Sequence, residues 1–186
     1  RICAGPGGNE YNATFTYSGF PAGTVFEVEL STNNFVSIVK TTTISVSDPA
    51  SNQKRITFAV PVDLVGSDTY SLRVSTTGFS SGKFVSFGFS NSFPIYYRAH
   101  DRQYTINNFN GSAAFCAGGS FTLSIDDVAT NSDSPLQYPS LSYNWFRDNG
   151  ETALPTLVQG NGGKDYIVTT PGVYYVETNY GTCTSG

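Results

Sequence analysis

A short cysteine-glycine phrase occurs twice in this chain of 186 residues. The first copy begins at Cys3 and reads Cys-Ala-Gly-Pro-Gly-Gly, and the second begins at Cys116 and reads Cys-Ala-Gly-Gly. Each copy precedes a stretch in which apolar and polar residues alternate, residues 11–16 and residues 121–125. Because the two copies lie about one domain length apart, the repeat predicts two modules in tandem, and such repetition usually builds length rather than chemistry.

The amino-acid composition favours strands over helices. Aromatic residues make up 15% of the chain, with 12 Tyr and 14 Phe, whereas charged residues make up only 13%. Together with many Thr, Ser, Val and Gly, this usage is typical of pleated, half-buried surfaces. Because no stretch carries a convincing helical apolar stripe, the sequence predicts an all-β fold.

Charge and hydropathy argue against two classes of partner. The net charge of −4 argues against a nucleic-acid binder, because phosphate contacts need clustered Lys and Arg. No apolar run approaches membrane-spanning length, so membrane insertion is not expected. Low charge with abundant Ser, Thr and Asn is typical of secreted bacterial surface proteins. Because the chain begins with Arg1 rather than Met, we interpret it as a processed product or a piece of a longer protein.

The three cysteines point to a disulfide rather than to a metal or a catalytic thiol. They form no Cys-x-x-Cys pair, and a zinc site needs four ligands in a compact arrangement. We therefore expect an oxidising compartment and one structural disulfide, Cys116–Cys183, that closes the second module. Cys3 is then unpaired in this chain, either because its partner lies upstream of Arg1 or because it is a free thiol. The weak point of this pairing is that Cys116 and Cys183 can fall at opposite ends of a sandwich.

Residues 1–102 are predicted to form the first module, an antiparallel β-sandwich. Phe26, Val28 and Leu30 alternate with Glu27 and Glu29, which indicates a sheet with one buried and one solvated face. Short strands at regular spacing, separated by Gly, Pro, Asp and Asn, are typical of a sandwich. The predicted strands cover residues 11–17, 24–30, 35–39, 43–46, 55–60, 69–75, 83–89 and 93–97, the last with a bulge at Pro94.

Residues 103–186 are predicted to form the second module, an immunoglobulin-like β-sandwich. Trp145 lies in its third strand, where immunoglobulin-like domains bury theirs against a disulfide. We expect Trp145 to be buried close to Leu123 and to Tyr174 or Tyr175. The run from Asp165 through Pro171 to Tyr175 resembles a tyrosine corner, in which a Tyr hydroxyl bonds a loop to its strand. The predicted strands cover residues 103–109, 121–125, 141–146, 166–168 and 172–177, and the two modules join near residues 98–112.

The second module ends about where the sixth of the seven strands of an immunoglobulin-like domain would end, so we expect its last strand to be missing. One of its sheets is therefore expected to expose an unpaired edge beside an apolar groove, and such edges recruit strands from other chains. If Gly186 is a native terminus, the protein is a subunit of a strand-donating filament. If the chain continued, it supplied the strand itself, and this fragment interpretation is the preferred one.

Four stretches resemble a known family. Residues 141–150 (Leu-Ser-Tyr-Asn-Trp-Phe-Arg-Asp-Asn-Gly), residues 165–176 and the closing Gly-Thr-Cys at 181–183 resemble the immunoglobulin-like repeats of large Bacteroidota surface proteins. Residues 20–31 resemble the opening of the companion module in the same proteins. Those proteins are exported by the type IX secretion system, and many are gliding-motility adhesins. The resemblance covers nearly all of the chain and implies an extracellular, cell-surface location within a very long chain of repeats.

Candidates for chemistry are sparse. His100 beside Asp101 could suggest a catalytic base, but no nucleophile phrase accompanies it, and an interdomain linker carrying solvated charge is favoured. Asp126 and Asp127, with Asp133 nearby, could offer oxygen ligands to Ca²⁺, although such acid pairs are usually solvated surface turns. We predict no catalytic residue, no cofactor and no metal ligand.

Three classes of function remain open. The leading hypothesis is a non-enzymatic structural or adhesive repeat linked to gliding motility or surface attachment, whose partners are neighbouring repeats or other surface and secretion-system proteins. The second is a carbohydrate-binding module, in which exposed rings such as Tyr96, Tyr97 and Tyr104 would stack on sugars, or a strand-donating filament subunit. An enzyme ranks last because the sequence shows no constellation for one.

Overall fold

The chain folds as strands joined by loops and short 3₁₀ turns. The computed structural model describes residues 1–85, 90–109 and 111–184. Two compact units form, one from Arg1–Ala99 with the segment from Tyr180 onward, and one from His100–Asn179. The 3₁₀ turns lie at Asn107–Phe109, Pro135–Gln137 and Gly181–Cys183. The all-β prediction is confirmed.

In the described part of the first unit, nine strands build two sheets. One sheet has the order β1-β9-β7-β3-β4 with β8 paired to β7, and the other has the order β2-β6-β5. The expectation of purely antiparallel sheets is wrong at one edge, because β1 enters beside β9 and runs parallel to it before the chain crosses to the other sheet. The strands are β1 (Ile2–Ala4), β2 (Tyr11–Thr16), β3 (Glu27–Ser31), β4 (Val39–Lys40), β5 (Thr42–Ala50), β6 (Gln53–Ala59), β7 (Ser67–Thr76), β8 (Phe79–Ser80) and β9 (Phe93–Tyr97).

The core of the first unit lies between its two sheets. Ile56 and Phe58 of β6 contribute from the smaller sheet, and Val28, Leu30 and Ile95 contribute from the larger one; all five are fully buried. The alternation of β3 behaves as expected on this face, since Val28 and Leu30 point into the core. Burial of this apolar area is the main stabilising contribution to a unit with so few charges.

The segment at residues 35–39 was predicted to be a strand, and that prediction is wrong. Asn34 and Phe35 have φ values of 58° and 63°, which turn the chain in the left-handed region. The Ser31 hydroxyl accepts the Phe35 amide proton at 2.9 Å and holds this turn. Only β4, which begins at Val39, is a strand in this segment, because the residues before it form the turn.

The turn covers part of the outer face of β3, which buries Glu29. The Arg73 guanidinium lies 2.8 Å from the Glu29 carboxylate and 4.2 Å from the centre of the Phe35 ring. Burial by itself raises the pKa of Glu29, but hydrogen bonds from Ser75 and Arg73 and the Arg73 charge outweigh burial, so the pKa lies below its usual range. Glu29 is therefore a paired carboxylate and not the solvated one that the alternation predicted.

Other boundaries also differ from the sequence prediction. The predicted strand at residues 83–89 falls partly on residues 86–89, which lie outside the described residues, and residues 83–85 are not a strand. The predicted strand at residues 103–109 is reduced to a single bridge between Ile106 and Ile125, followed by the first 3₁₀ turn. The sequence did not predict β1, β8 or a further strand at Thr156–Gly162.

The described residues of the second unit form five strands in two sheets. One sheet pairs β10 with β13, and the other has the order β12-β11-β14. Trp145 of β11 is completely buried between them and stacks on the Tyr166 ring at 5.9 Å, while its indole N–H donates to the Gly163 carbonyl at 3.2 Å. Leu123 belongs to the same cluster, but the ring next to Trp145 is Tyr166 and not Tyr174 or Tyr175. The strands are β10 (Phe121–Ser124), β11 (Tyr143–Asp148), β12 (Thr156–Gly162), β13 (Asp165–Val168) and β14 (Val173–Thr178).

Tyr174 ties the loop before β14 to that strand. Its hydroxyl donates to the Thr170 carbonyl at 2.8 Å, which is the geometry that the sequence suggested for this corner. The Arg147 guanidinium donates to the neighbouring Pro171 carbonyl at 3.0 Å. The side chains of Tyr174 and Arg147 therefore satisfy two backbone carbonyls of the loop before β14.

The predicted disulfide between Cys116 and Cys183 is wrong. Cys183 is bonded to Cys3, with the two Cα atoms 5.5 Å apart, and Cys116 is a free, exposed thiol in the second unit. After β14 the chain returns to the first unit, where Arg1 donates to the Thr182 carbonyl at 2.8 Å. Gly181, with φ 52°, lies so close to the Tyr96 ring that a Cβ atom would clash with it. This long-range packing brings Cys183 beside β1.

The same packing changes the division of the chain. The modules were predicted to meet between residues 102 and 103, with every later residue in the second. The units instead divide between Ala99 and His100, and Tyr180 begins a segment that belongs to the first unit. The first unit is therefore discontinuous in sequence. The Cys3–Cys183 disulfide and the contact between Gly181 and Tyr96 hold the segment from Tyr180 onward against the first unit.

Removing the Cys3–Cys183 bond is expected to destabilise the first unit. In the chain-entropy model a disulfide with a sequence separation of 180 contributes about 5 kcal/mol, and measured losses are commonly about 2–5 kcal/mol. Cys183→Ser should lower the urea midpoint accordingly, whereas Cys116→Ser, at an exposed thiol, should change the free energy of unfolding by less than about 0.5 kcal/mol. Recovery of a Cys116–Cys183 peptide from a non-reducing digest would contradict this pairing.

Truncating Trp145 is expected to destabilise the second unit strongly. Trp145→Ala leaves a cavity where a fully buried indole stood, which typically costs about 3–5 kcal/mol. Leu154→Ala is the matched control, since that side chain is 88% exposed, and its effect should stay within about 0.5 kcal/mol. Urea unfolding followed by circular dichroism, with hydrogen exchange to locate the loss, makes the comparison; equal effects of the two variants would show that Trp145 does not organise this core.

Candidate functional site

A groove runs beside β14 in the second unit. It has a volume of about 960 Å³ and belongs to the size class of small-ligand sites. Residues 175–178 of β14 form one side, and residues 102–105 form part of the other. Further lining comes from His100, Asn108, Thr130 and Asn131.

The groove follows the edge of β14 and not one of its faces. β14 pairs with β11 on one side and is the last strand in the order β12-β11-β14. Residues that alternate between the two faces of β14, Tyr175 and Glu177 on one and Val176 and Thr178 on the other, all line the groove. Among the described residues that line it, none belongs to β11. The groove therefore lies on the side of β14 that faces away from β11.

The opposite side of the groove is held by polar and aromatic contacts. His100 is buried, its Nε2 lies 2.6 Å from the Asp133 carbonyl, and its ring meets the Tyr104 ring edge-to-face at 5.4 Å. The Arg102 guanidinium pairs with the Asp133 carboxylate at 2.8 Å and is exposed. The expectation that His100 is part of a solvated linker is wrong, because it packs among tyrosines at the start of the second unit.

The three aspartates considered for calcium each have a different local partner. Asp126 is buried and accepts from the Thr105 hydroxyl at 2.6 Å and from the Asn108 amide at 2.8 Å. Asp127 accepts the Thr130 amide proton at 2.9 Å, and this bond is the main reason that its pKa lies below the usual value. Asp133 is the partner of Arg102. Within the described ranges, no group of three or more His, Cys, Asp and Glu side chains is arranged to hold a metal ion.

A row of apolar side chains crosses the outer face of the β12-β11-β14 sheet. Since Trp145 and Val176 point into the core, their neighbours Phe146 and Tyr175 point outward. The Phe146 and Tyr175 rings stack at 5.1 Å with an angle of 16° between their planes, and Leu157, 52% exposed, pairs with Phe146 from β12. We refer to Leu157, Phe146 and Tyr175 as the aromatic row.

The electrostatics at the end of this row are mildly acidic. Burial in the stack is the first cause that raises the pKa of Tyr175, and the nearby carboxylates of Glu177 and Asp148 raise it further. The Glu177 side chain is exposed and makes no hydrogen bond or salt bridge to any residue that the structure describes. The groove and the aromatic row thus share Tyr175, and the groove also contains the Glu177 carboxylate, which is open to a cation.

The tyrosines that the sequence suggested for sugar stacking do not form such a platform. Tyr96 is buried, and burial, followed by the charge of Asp68 and a hydrogen bond to it, raises its pKa to about 12. Tyr97 packs against the core of the first unit and Tyr104 against that of the second. The sequence missed the aromatic row, although the alternation in β11 and β14 contains it once Trp145 is assigned to the inside.

Comparisons with known proteins give no family assignment. No protein-family model matches the chain, and no curated protein matches it either.

The described part of the chain contains no candidate membrane-spanning helix. None of its helices is long and apolar enough to span a bilayer.

Proposed function

We propose that this chain is a non-enzymatic structural and adhesive segment of a secreted bacterial cell-surface protein, linked to gliding motility or surface attachment. Each unit is then one immunoglobulin-like β-sandwich of a tandem array. Its partners are neighbouring repeats of the same chain or other surface and secretion-system proteins. The resemblance of residues 141–150 and 165–176 to such repeats is the starting point.

The Cys3–Cys183 disulfide carries the extracellular part of the proposal. Such bonds form and persist in oxidising compartments and are rare in the bacterial cytosol. The bond spans nearly the whole chain, so it would contribute most to stability where reductants are absent.

The second unit supports the immunoglobulin-like assignment. A buried tryptophan and a tyrosine hydroxyl bonded to a carbonyl a few residues upstream are both hallmarks of that architecture. Trp145 is buried in β11, the second described strand of this unit, and the Tyr174 hydroxyl donates to the Thr170 carbonyl. The groups that sequence offered for chemistry are used by the local fold: His100 and Asp126 are buried with partners, and Asp133 pairs with Arg102. A structural role accounts for all of these contacts.

Surface labelling and an in-frame deletion test this proposal. Antibodies against the 186-residue chain should label intact cells of the source bacterium. A strain in which the coding segment is deleted should attach to surfaces or glide less than the parent strain while growing at the normal rate. Complementing this strain with a gene that carries Cys116→Ser should restore attachment and gliding, because Cys116 is a free, exposed thiol. Labelling only after cell lysis, or normal attachment and gliding in the deletion strain, would contradict the proposal.

The aromatic row favours carbohydrate binding as a second candidate function. Stacked, partly exposed rings on a sheet face can pack against the apolar face of a sugar ring, and the neighbouring Glu177 and Asn144 can accept or donate hydrogen bonds to its hydroxyls. Because the row spans three adjacent strands, it offers a flat platform rather than a closed pocket.

A glycan array measures this second function. A glycan that binds the chain should lose about tenfold in affinity for Tyr175→Ala, because one stacking surface is removed. Phe79→Ala is the matched control, since this ring is 66% exposed in the first unit, and it should bind like the unaltered chain. Absence of glycan binding, or equal losses in both variants, would exclude the aromatic row as a sugar platform.

A further inference from the structure

We propose that the groove beside β14 binds one extended β-strand of another polypeptide. The bound strand pairs with β14, places an apolar side chain against Val176, and places a Lys or Arg opposite Glu177.

The first step is the unpaired edge. β14 forms its ladder with β11 alone, from Tyr143–Thr178 to Asp148–Val173. Every second residue of an edge strand directs its N–H and C=O groups away from its neighbour. Within residues 1–85, 90–109 and 111–184, no backbone group bonds to β14 on that side. Such an edge is a template for a further strand.

The second step is that space for a strand lies at this edge. The groove separates β14 from residues 102–105, so a backbone inserted there has walls on both sides. The Thr178 hydroxyl donates to the Tyr104 hydroxyl at 3.3 Å and connects the two walls at the Thr178 end. In the seven-strand immunoglobulin arrangement, the last strand pairs at the corresponding edge.

The third step is that the residues after β14 do not occupy the groove. The Asn179 amide donates to the Ser142 carbonyl at 2.8 Å, on the side of β11. From Tyr180 the chain belongs to the first unit, where Cys183 is bonded to Cys3. Residues 179–184 therefore do not supply a strand to the groove.

The fourth step is the chemistry of the occupant. Side chains alternate along β14, so a strand paired with it meets Val176 on the inner face and Tyr175 and Glu177 on the outer face. An apolar residue opposite Val176 extends the core, and a β-branched residue opposite Tyr175 packs on its ring. Glu177 has no cationic partner among the described residues, so a basic residue opposite it gains an ion pair.

The experiment titrates the full 186-residue chain with the peptide acetyl-Ser-Val-Lys-Val-Thr-Val-Thr-amide and follows backbone amide signals by NMR. Paired antiparallel, this peptide aligns its Lys with Glu177 and its next Val with Val176. We expect saturable shifts confined to β14 and residues 102–105, and slower hydrogen exchange at alternate amides of Val173–Thr178. No saturable shifts, or shifts confined to the first unit, would overturn the proposal.

A charge swap tests the register. A peptide with Glu in place of Lys should bind about two- to fivefold more weakly, because like charges then face each other across the strands. Glu177→Lys should reverse this preference, and an unchanged amide spectrum elsewhere shows that it folds. If it does not fold, Glu177→Gln should bind the two peptides equally. The same preference in the unaltered and substituted chains would overturn the assigned register and with it the proposal.

Strand binding depends on the fold of the second unit and not on the proposed surface function. A chain that labels the cell surface but ignores the peptide retains that function and lacks the strand site. A chain whose β14 amides shift with a glycan and not with the peptide uses this edge for sugar, which also overturns strand binding.

Discussion

Complete burial of the Trp145 indole determines which side chains the second unit presents on its outer sheet face and along the β14 edge. Side chains alternate along a strand, so fixing Trp145 inside forces Phe146 outward, and pairing with β14 then places Val176 inside and Tyr175 outside. A shift of one residue would exchange these faces and bury Glu177. The aromatic row, the open carboxylate and the apolar floor at Val176 are thus consequences of a single packed ring.

Local sequence patterns predicted those structural features that depend on residues close together in the chain. Alternation located most strands of both units, and the run before β14 indicated the Tyr174 corner, because each depends on residues close in sequence. Cysteine pairing failed since it depends on the return of Gly181 to Tyr96, a contact between distant residues. β12 was missed because its glycines and irregular register with β11 hide the alternation.

The candidate site could be predicted only in part. The sequence predicted an unpaired sheet edge in the second module, and among the described residues β14 lies at the edge of its sheet. Charged residues were weaker guides, since His100 and Asp126 were judged solvated or available to ligands and are instead buried with partners. Burial of Trp145 was predicted, but the stacking of Phe146 on Tyr175 depends on the register between β11 and β14, which could not be predicted from the sequence alone.

The Cys3–Cys183 bond also determines how mechanical tension would travel through the chain. A pull applied at residues outside this pair passes from one sulfur to the other, and the backbone between them carries no load. Neither core would then be stretched, and neither the aromatic row nor the β14 groove would be deformed. Reduction would place the same residues in series with the applied force. In the oxidised protein, the aromatic row and the β14 groove would therefore lie outside the line of tension.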